Sequence, residues 1–504
     1  MKKLKILFMS LGILCVLAMI LYFSPLKDVF LDKFFYSVGE TAFEEPTTTD
    51  LKIPVQNGTW VVDETGWRYT DASGHEAKNE TLTIGDREYI FDKDGYMSTG
   101  WAKPKDTWYY LTYTGQKETG WLEDDGKSYY LDQDGKMVTG WQTIDNKQYH
   151  FEDDGSLSHG WVQLDDKYYY LQEDGTMHTG WLIDQNQYYY LDENGVMQIG
   201  WVQDQNVYYY MSESGSMVTG WQNIDGKNYY FSDMGSMYTG WLTDQGKNYY
   251  FKDNGDLARG WLELNGSSYY MDPGSGVMRT GWIVDQSKAY YLNDQGIYEP
   301  NKKTAKDGAA IALTFDDGPG QYTSRLLTTL ENNKAKATFF VLGESVDKYP
   351  DAIKKMQSMG CQIGNHTYDH TNLTTLDKKA MKKQIKDTSS KVKAITGKGT
   401  SLVRPPGGAY NDAVKENLNA PIILWSMDTR DWESMNTVAI VEMVLNNVKD
   451  GDIILLHDIH GTTADAADIL IPTLKSMGYN LNTVSELAKS KGIKIEKKSV
   501  YSKF

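Results

Sequence analysis

Asp316 and Asp317 stand side by side in Thr314-Phe-Asp-Asp-Gly-Pro319, and His366 and His370 enclose His366-Thr-Tyr-Asp-His370. One carboxylate and two imidazoles can hold a divalent metal and leave a coordination position open for water. A second carboxylate beside them can take that water's proton. The residue types are those of metal-assisted hydrolysis.

Further polar residues follow in order: Arg404 before Pro405-Pro406, Asp428, Asp431-Trp432 and His457-Asp458. Taken singly, each has a plain structural explanation. Asp-Asp-Gly-Pro reads as a turn, two histidines four apart are a weak metal signal, and Asp431 can cap a helix. Arg404 can be a surface residue, and His457 after four apolar residues can be a satisfied core histidine.

Their positions relative to the surrounding elements weigh against that. Short apolar runs at Ala309–Phe315, Ala337–Val341, Cys361–Gly364, Ser401–Val403, Pro421–Trp425 and Asp452–Leu456 read as strands. Helical periods lie between them: Met381, Ile385, Val392 and Ile395 share one face over Asp377–Ile395, with Gly397 as the stop, and Val438 to Val448 marks another helix. Strand–helix alternation predicts a parallel sheet, either a barrel or doubly wound. Each polar residue follows the C-terminal end of its strand, the edge where parallel barrels carry their sites.

Upstream, the chain repeats. Gly-Trp pairs place Trp101, Trp121, Trp141, Trp161, Trp181, Trp201, Trp221, Trp241 and Trp261 at intervals of twenty, and then Trp282 after the extra turn residues Pro273-Gly-Ser-Gly276. Aromatic runs such as Tyr129-Tyr-Leu131 follow, then Asp134-Gly135 or Asn194-Gly195, often with a methionine two residues on. Aromatic strands joined by an Asp-Gly turn describe a β-hairpin. One hairpin cannot bury its own aromatic face, so the expectation is a solenoid of about 20-residue units. Its seams would form Trp/Tyr cages suited to a quaternary ammonium or a sugar ring.

The chain has 504 residues and a formal net charge of -17. Without a basic stripe, that charge argues against nucleic acid and against an anionic lipid surface as partners. Met1-Lys-Lys-Leu-Lys precedes an apolar run from Ile6 to Phe23. That run predicts a membrane helix with the remainder of the chain outside, as an uncleaved anchor or a signal peptide. Only Cys361 lies beyond this segment, so the exported part has no internal disulfide. The expected organisation is an anchor at 1–24, a spacer at 25–56, repeats at 57–299, a linker at 300–308, an α/β domain at 309–490 and a tail at 491–504.

The repeats resemble the choline-binding and glucan-binding cell-wall repeats of Gram-positive surface proteins. Such repeats usually carry a Trp before the paired tyrosines, as in Trp108-Tyr-Tyr110; here Ser128, Gln148, Asn228, Asn248 or Ser268 often stands there. Choline, a wall glucan and a purely spacing role all remain open. The segment 309–490 resembles the polysaccharide deacetylase family (carbohydrate esterase family 4), on five ordered motifs: Thr-Phe-Asp-Asp-Gly-Pro, His-Thr-Tyr-Asp-His, Arg-Pro-Pro-Gly-Gly, Asp-Thr-Arg-Asp-Trp and Leu-Leu-His-Asp.

That resemblance implies a distorted (β/α)7 barrel and a divalent metal, zinc, on Asp317, His366 and His370. It implies Asp316 as base, Arg404 as its orienting partner, and His457 steered by Asp431 as acid. Gly407 would offer a backbone N–H, and Trp432 and Leu455 would line the substrate groove. Many relatives have Tyr where Gly407 stands, which bears on substrate fit. The implied activity is removal of N-acetyl groups from an amino-sugar polymer, peptidoglycan foremost, at a Gram-positive cell surface, membrane-anchored or secreted and wall-associated. Two alternatives are a non-catalytic surface glycan- or choline-binding protein and an O-acetyl xylan esterase using the same residues.

Overall fold

The computed structural model describes residues 51–55 and 58–504. The expected anchor at 1–24 and most of the expected spacer lie outside the described residues. Among the described residues no helix is long and apolar enough to cross a membrane. Leu51–Val55, assigned by sequence to the spacer, is a strand paired antiparallel with Gly58–Val62.

The chain divides into two compact units: residues up to Val202 with Met211–Met217, and Gln203–Tyr210 with Val218–Phe504. In the first unit the repeat is a hairpin of two five-residue strands. Gly120–Asp124 pairs with Lys127–Leu131 and sets Trp121 opposite Tyr130. The connection is Asp125-Gly126, with φ of 49° and 74°, the doubly left-handed turn that two-residue hairpins favour.

This corrects the sequence reading, which put the hairpin turn at Asp134-Gly135. The true turn is hard to read because Gln185-Asn186 adopts the same geometry, at 47° and 63°, without glycine. Asp134-Gly135 instead belongs to the link between hairpins, where Gly135 N–H donates to the Asp132 carbonyl at 2.9 Å. Two residues later Met137 N–H donates to the Trp108 carbonyl of the preceding hairpin at 2.9 Å. The Met137 side chain then lies over Gly155, where a Cβ would come within 2.3 Å of the sulfur, so that position excludes a side chain. A two-stranded hairpin alone is marginal in water. Stacking supplies the missing contacts: Trp121 sits edge-on to Tyr130 of its own hairpin at 5.2 Å and to Tyr149 of the next at 5.0 Å.

The second unit carries further hairpins, ending with Gly281–Asp285 paired to Lys288–Leu292, and then an α/β domain. The domain's sheet runs in the order Gln362–Asn365, Thr338–Val341, Ala310–Asp316, Ile453–His457, Met427–Asp428, and Asn480–Leu481 also pairs with Ala310–Asp316. All these pairings are parallel. All seven residues of Ala310–Asp316 are buried, which is why this strand reads as a continuous apolar run rather than an alternation.

The expected seven-stranded barrel is not what this ladder records. The hydrogen-bonded sheet has six strands, and Ser401–Val403, expected as a strand, contributes one residue, Val403, bridging Asn365 and Ile422. Pro405 and Pro406 follow at once, and prolines supply no N–H to extend a ladder. Val500–Tyr501, in the expected tail, pairs in parallel with Ile422–Ile423 and so belongs to the domain.

Two helices bear on function. Lys378–Thr396 is capped by the Asp377 carboxylate, which accepts from Ala380 N–H at 2.8 Å, and stops at Gly397 with φ 78°. Thr437–Asn447 packs against the last hairpin: Asn446 accepts from Trp282 N–H at 2.7 Å and donates to the Trp282 carbonyl at 3.0 Å.

Candidate active site

The parallel register brings the polar motifs to one sheet edge. Asp316 ends its strand directly opposite His457, which ends the neighbouring one. Val341 is level with Asn365, immediately before His366, and Asp428 is level with Leu455. Short connections then turn the side chains inward. Asp317, Thr367 and His370 all have left-handed backbone, with φ of 73°, 73° and 64°. Non-glycine residues adopt that conformation at a cost, and such outliers cluster where function demands them. His366 and His370 therefore lie on a loop, not on the helix their spacing allowed.

Asp317 Oδ1 is 3.4 Å from Nε2 of His366 and 3.4 Å from Nε2 of His370. This oxygen is buried and lacks a hydrogen-bond partner among the described residues, a costly state unless something else satisfies it. His366 Nδ1 lies 2.7 Å from the Arg404 carbonyl. A proton on Nδ1 donates there and leaves the Nε2 lone pair facing Asp317, the usual outer hydrogen bond of a metal-binding histidine. Burial pulls the His366 pKa down to about 3, so the ring is neutral. An orphaned carboxylate oxygen facing the Nε2 atoms of two imidazoles is a donor set that fits a divalent cation.

Asp316 is buried beside this cluster, with Oδ2 3.7 Å from His366 Nε2. Its Oδ1 accepts from Arg404 Nη1 at 2.8 Å. Arg404 is fully buried, and every nitrogen of its guanidinium is used: Nη1 also donates to Thr314 Oγ1 at 2.7 Å, Nε to the Ile423 carbonyl at 3.1 Å and Nη2 to the Leu424 carbonyl at 2.8 Å. The guanidinium also lies over the Phe340 ring at 4.2 Å. Burial raises the Asp316 carboxyl above its usual range, with Arg404 and His457 pulling the other way. A raised carboxylate is a better proton acceptor than an ordinary one.

On the other flank, His457 Nδ1 is 2.8 Å from Asp431 Oδ1. Asp431 Oδ2 accepts from His457 N–H and from Thr463 Oγ1, each at 2.7 Å. Burial alone would lower the imidazole, but the Asp431 hydrogen bond and the charges of Asp431, Asp316 and Asp317 outweigh it and push His457 up to about 9. It therefore carries a proton at neutral pH.

Residues 303–420 match the polysaccharide deacetylase family. The chain is 40% identical over 190 residues to a peptidoglycan-N-acetylglucosamine deacetylase of Bacillus cereus, a match covering 36% of this chain and 89% of that protein. This chain belongs to the polysaccharide deacetylase family. It is also 43% identical over 194 residues to peptidoglycan-N-acetylmuramic acid deacetylase PdaC of Bacillus subtilis, covering 38% of this chain and 40% of the relative. A third relative, peptidoglycan-N-acetylglucosamine deacetylase PgdA of Listeria monocytogenes, is 43% identical over 189 residues, covering 37% and 41%. The chain thus spans about two fifths of the length of these last two relatives. Residues 138–178, 158–195, 178–219 and 218–260 match choline-binding repeats, and 119–137 match a cell wall binding repeat.

Within the deacetylase domain, Asp316, Asp317, His366, His370, Arg404, Asp431 and His457 form one connected set. Leu455 is buried and Trp432 is half exposed. Gly407 has φ 60° and open space where a side chain would project. Among the repeat tryptophans, Trp121, Trp141, Trp201, Trp221 and Trp241 are exposed. Trp282 is not: at 5% exposure it belongs to the core of the deacetylase domain. It is no candidate for ligand binding, because Thr437–Asn447 covers the face that other hairpins leave open.

Sequence reasoning missed three supporting groups. Thr314 lies inside the first motif, where its place in an apolar run reads only as strand. Thr463 gave no signal of its own. Gln384 accepts from Tyr368 N–H at 2.7 Å and donates to Asp369 at 2.9 Å, holding the histidine loop from a helix read only for its apolar face.

Proposed function

We propose that the protein is a metal-dependent N-deacetylase of cell-wall amino-sugar polymer, with peptidoglycan as substrate, held at a Gram-positive cell surface by its repeats. The observation that carries this reading is the placement, on one sheet edge, of three metal-type donors between a buried carboxylate–arginine pair and a protonated histidine–carboxylate pair.

Asp317, His366 and His370 would hold the metal, with zinc as the expected ion. A bound divalent ion supplies Lewis-acid polarisation of the amide carbonyl and makes water acidic enough to attack at neutral pH. Asp316 takes the water's proton, and Arg404 fixes which oxygen faces the reaction. Asp431 keeps His457 charged and oriented, so that its Nε2 proton can pass to the departing sugar nitrogen. Without that proton the tetrahedral species returns to amide. The backbone N–H at Gly407 offers a donor to the developing oxyanion, and Trp432 and Leu455 line the sugar and acetyl sites. The Val403 bridge and the Pro421–Asp428 segment are read as completing the family's distorted barrel.

The choline-binding-type repeats would concentrate the enzyme on wall polymer, raising the effective concentration of acetylated sugar. Trp101, Trp161, Trp181 and Trp261 join the exposed tryptophans as candidate ligand contacts, and the segment 1–24 is read as the membrane anchor. The direct test is acetate release from N-acetylglucosamine oligomers, peptidoglycan and acetylated xylan. Release from the first two, lost in Asp316→Asn, supports the reading. Release from xylan alone, or activity unaltered in the variant, overturns it.

A further inference from the structure

The chain is strongly acidic overall, yet one groove of the deacetylase domain is basic. Helix Lys378–Thr396 carries seven lysines against one acidic residue, Asp387. Its buried face, including Met381, Thr388 and Val392, packs inward, and Thr388 Oγ1 donates to the Thr367 carbonyl of the histidine loop at 2.8 Å. Its outer face forms one wall of a groove of about 680 Å³. Lys378, Lys382, Lys386 and Lys393 line that wall; Lys498 lines the opposite side, along the segment where its N–H donates to the Ala420 carbonyl at 3.0 Å.

One carboxylate, Glu416, lines the groove, and it is neutralised by Lys498 at 2.5 Å. Lys383 and Lys391, which point away, are paired with Asp387 and Asp347. Among the described residues the four helix lysines in the groove have no ion-pair partner. All four are exposed, so they form an uncompensated row of charge in a chain with 68 acidic and 51 basic residues.

We propose that this groove binds a linear phosphodiester polymer of the polyol-phosphate kind. Successive lysines four apart on a helix advance by about 6 Å. That step is comparable with the spacing of phosphates along an extended polyol-phosphate chain. Lysine suits such a ligand because it acts as a compact, mobile point charge and needs no fixed approach geometry. Ser390 and Asn417 in the same groove offer further hydrogen bonds to phosphate oxygens or polyol hydroxyls. The concave shape favours a chain lying along the helix over a flat bilayer surface. The groove is separate from the residues assigned to catalysis, so the inference stands apart from the deacetylase reading.

The test uses the full chain and two probes: polyglycerol phosphate, and vesicles of phosphatidylglycerol. The parent is expected to bind the polymer with an affinity that falls steeply with salt. Lys378→Gln/Lys382→Gln/Lys386→Gln is expected to bind about tenfold or more weakly, with the salt slope reduced by roughly two to three. Acetate release from short soluble N-acetylglucosamine oligomers should remain at the parent level, which also reports that the variant folds. The arginine triple variant at the same positions is expected to retain binding. Equal polymer binding by parent and glutamine variant overturns the proposal, as does parental binding to vesicles without binding to polymer.

Discussion

Trp241 and Trp282 occupy the same place in the same repeat and have opposite fates. Trp241 is 39% exposed, edge-on to Tyr250 at 5.2 Å and to Tyr269 of the next hairpin at 5.1 Å. Trp282 is 5% exposed and shares a core with Leu445, Val441 and Ile440 of helix Thr437–Asn447. Its own strand is tied down by Asn446 and by Glu442, which accepts from Val284 N–H at 3.2 Å and pairs with Arg279 at 2.6 Å. A repeat motif therefore specifies a hairpin, while the partner that covers the hairpin decides whether its tryptophan stays exposed or serves as core.

The contrast extends to the site. Repeat tryptophans make local contacts with neighbouring hairpins, whereas the proposed catalytic set depends on residues distant in sequence meeting at one sheet edge. Removing a residue of that set is expected to have the largest effect. Asp316→Asn should slow acetate release by about 10²–10⁴-fold while leaving retention on a choline matrix equal to the parent's. A parallel loss of both activities would erase the distinction between the regions.

Next in size is the pair of tryptophans. Trp282→Ala should destabilise the deacetylase domain by about 3–5 kcal/mol, the usual cost of emptying a core aromatic site. Trp241→Ala should cost about 1 kcal/mol and weaken ligand retention instead. Chemical denaturation of both variants in the full chain distinguishes them, and equal losses of stability would contradict the difference in burial.

The acid flank gives a pH signature. The acid role proposed for His457 requires a protonated imidazole, so activity should fall as pH rises through about 9. Asp431→Asn removes the hydrogen bond and charge that hold the imidazole up and leaves the opposing burial, so the alkaline limb should move to lower pH. The sign for stability is the same: the folded pKa lies above the ordinary 6.5, so the pair's contribution is fully present below 6.5 and lost as pH rises through about 9. An alkaline limb unmoved in Asp431→Asn would show that another group sets it. The smallest effect is expected from Glu442→Gln, about 1 kcal/mol for a partly exposed pair, read as a small drop in the midpoint of domain unfolding.

Much of this was legible in the sequence, for different reasons in the two regions. The twenty-residue period announced the hairpins because every copy repeats the same local contacts. It misplaced their turns because left-handed geometry at Gln185-Asn186 or Asp165-Asp166 is carried by residues that also occur in ordinary loops. The catalytic residues could be ordered by motif, and parallel register then explains why strand-end residues converge.

What stayed hidden depended on three-dimensional partners. The burial of Trp282 required knowing that Thr437–Asn447 lies on it. Thr463 acts only because it reaches Asp431, and the groove lysines stand out only when their acidic neighbours face elsewhere. Overall charge concealed that last feature, since a net value of -17 masks a row of four lysines.

Asp317, His366 and His370 are proposed to form a metal site on which the chemistry depends. The most direct measurement is acetate release from N-acetylglucosamine oligomers by chelator-treated full chain during titration with zinc, with bound zinc counted in parallel. Activity should return in step with one ion per chain, and Asp317→Ala should neither hold the ion nor recover activity. Undiminished release by the chelated protein, or full recovery in Asp317→Ala, would contradict it.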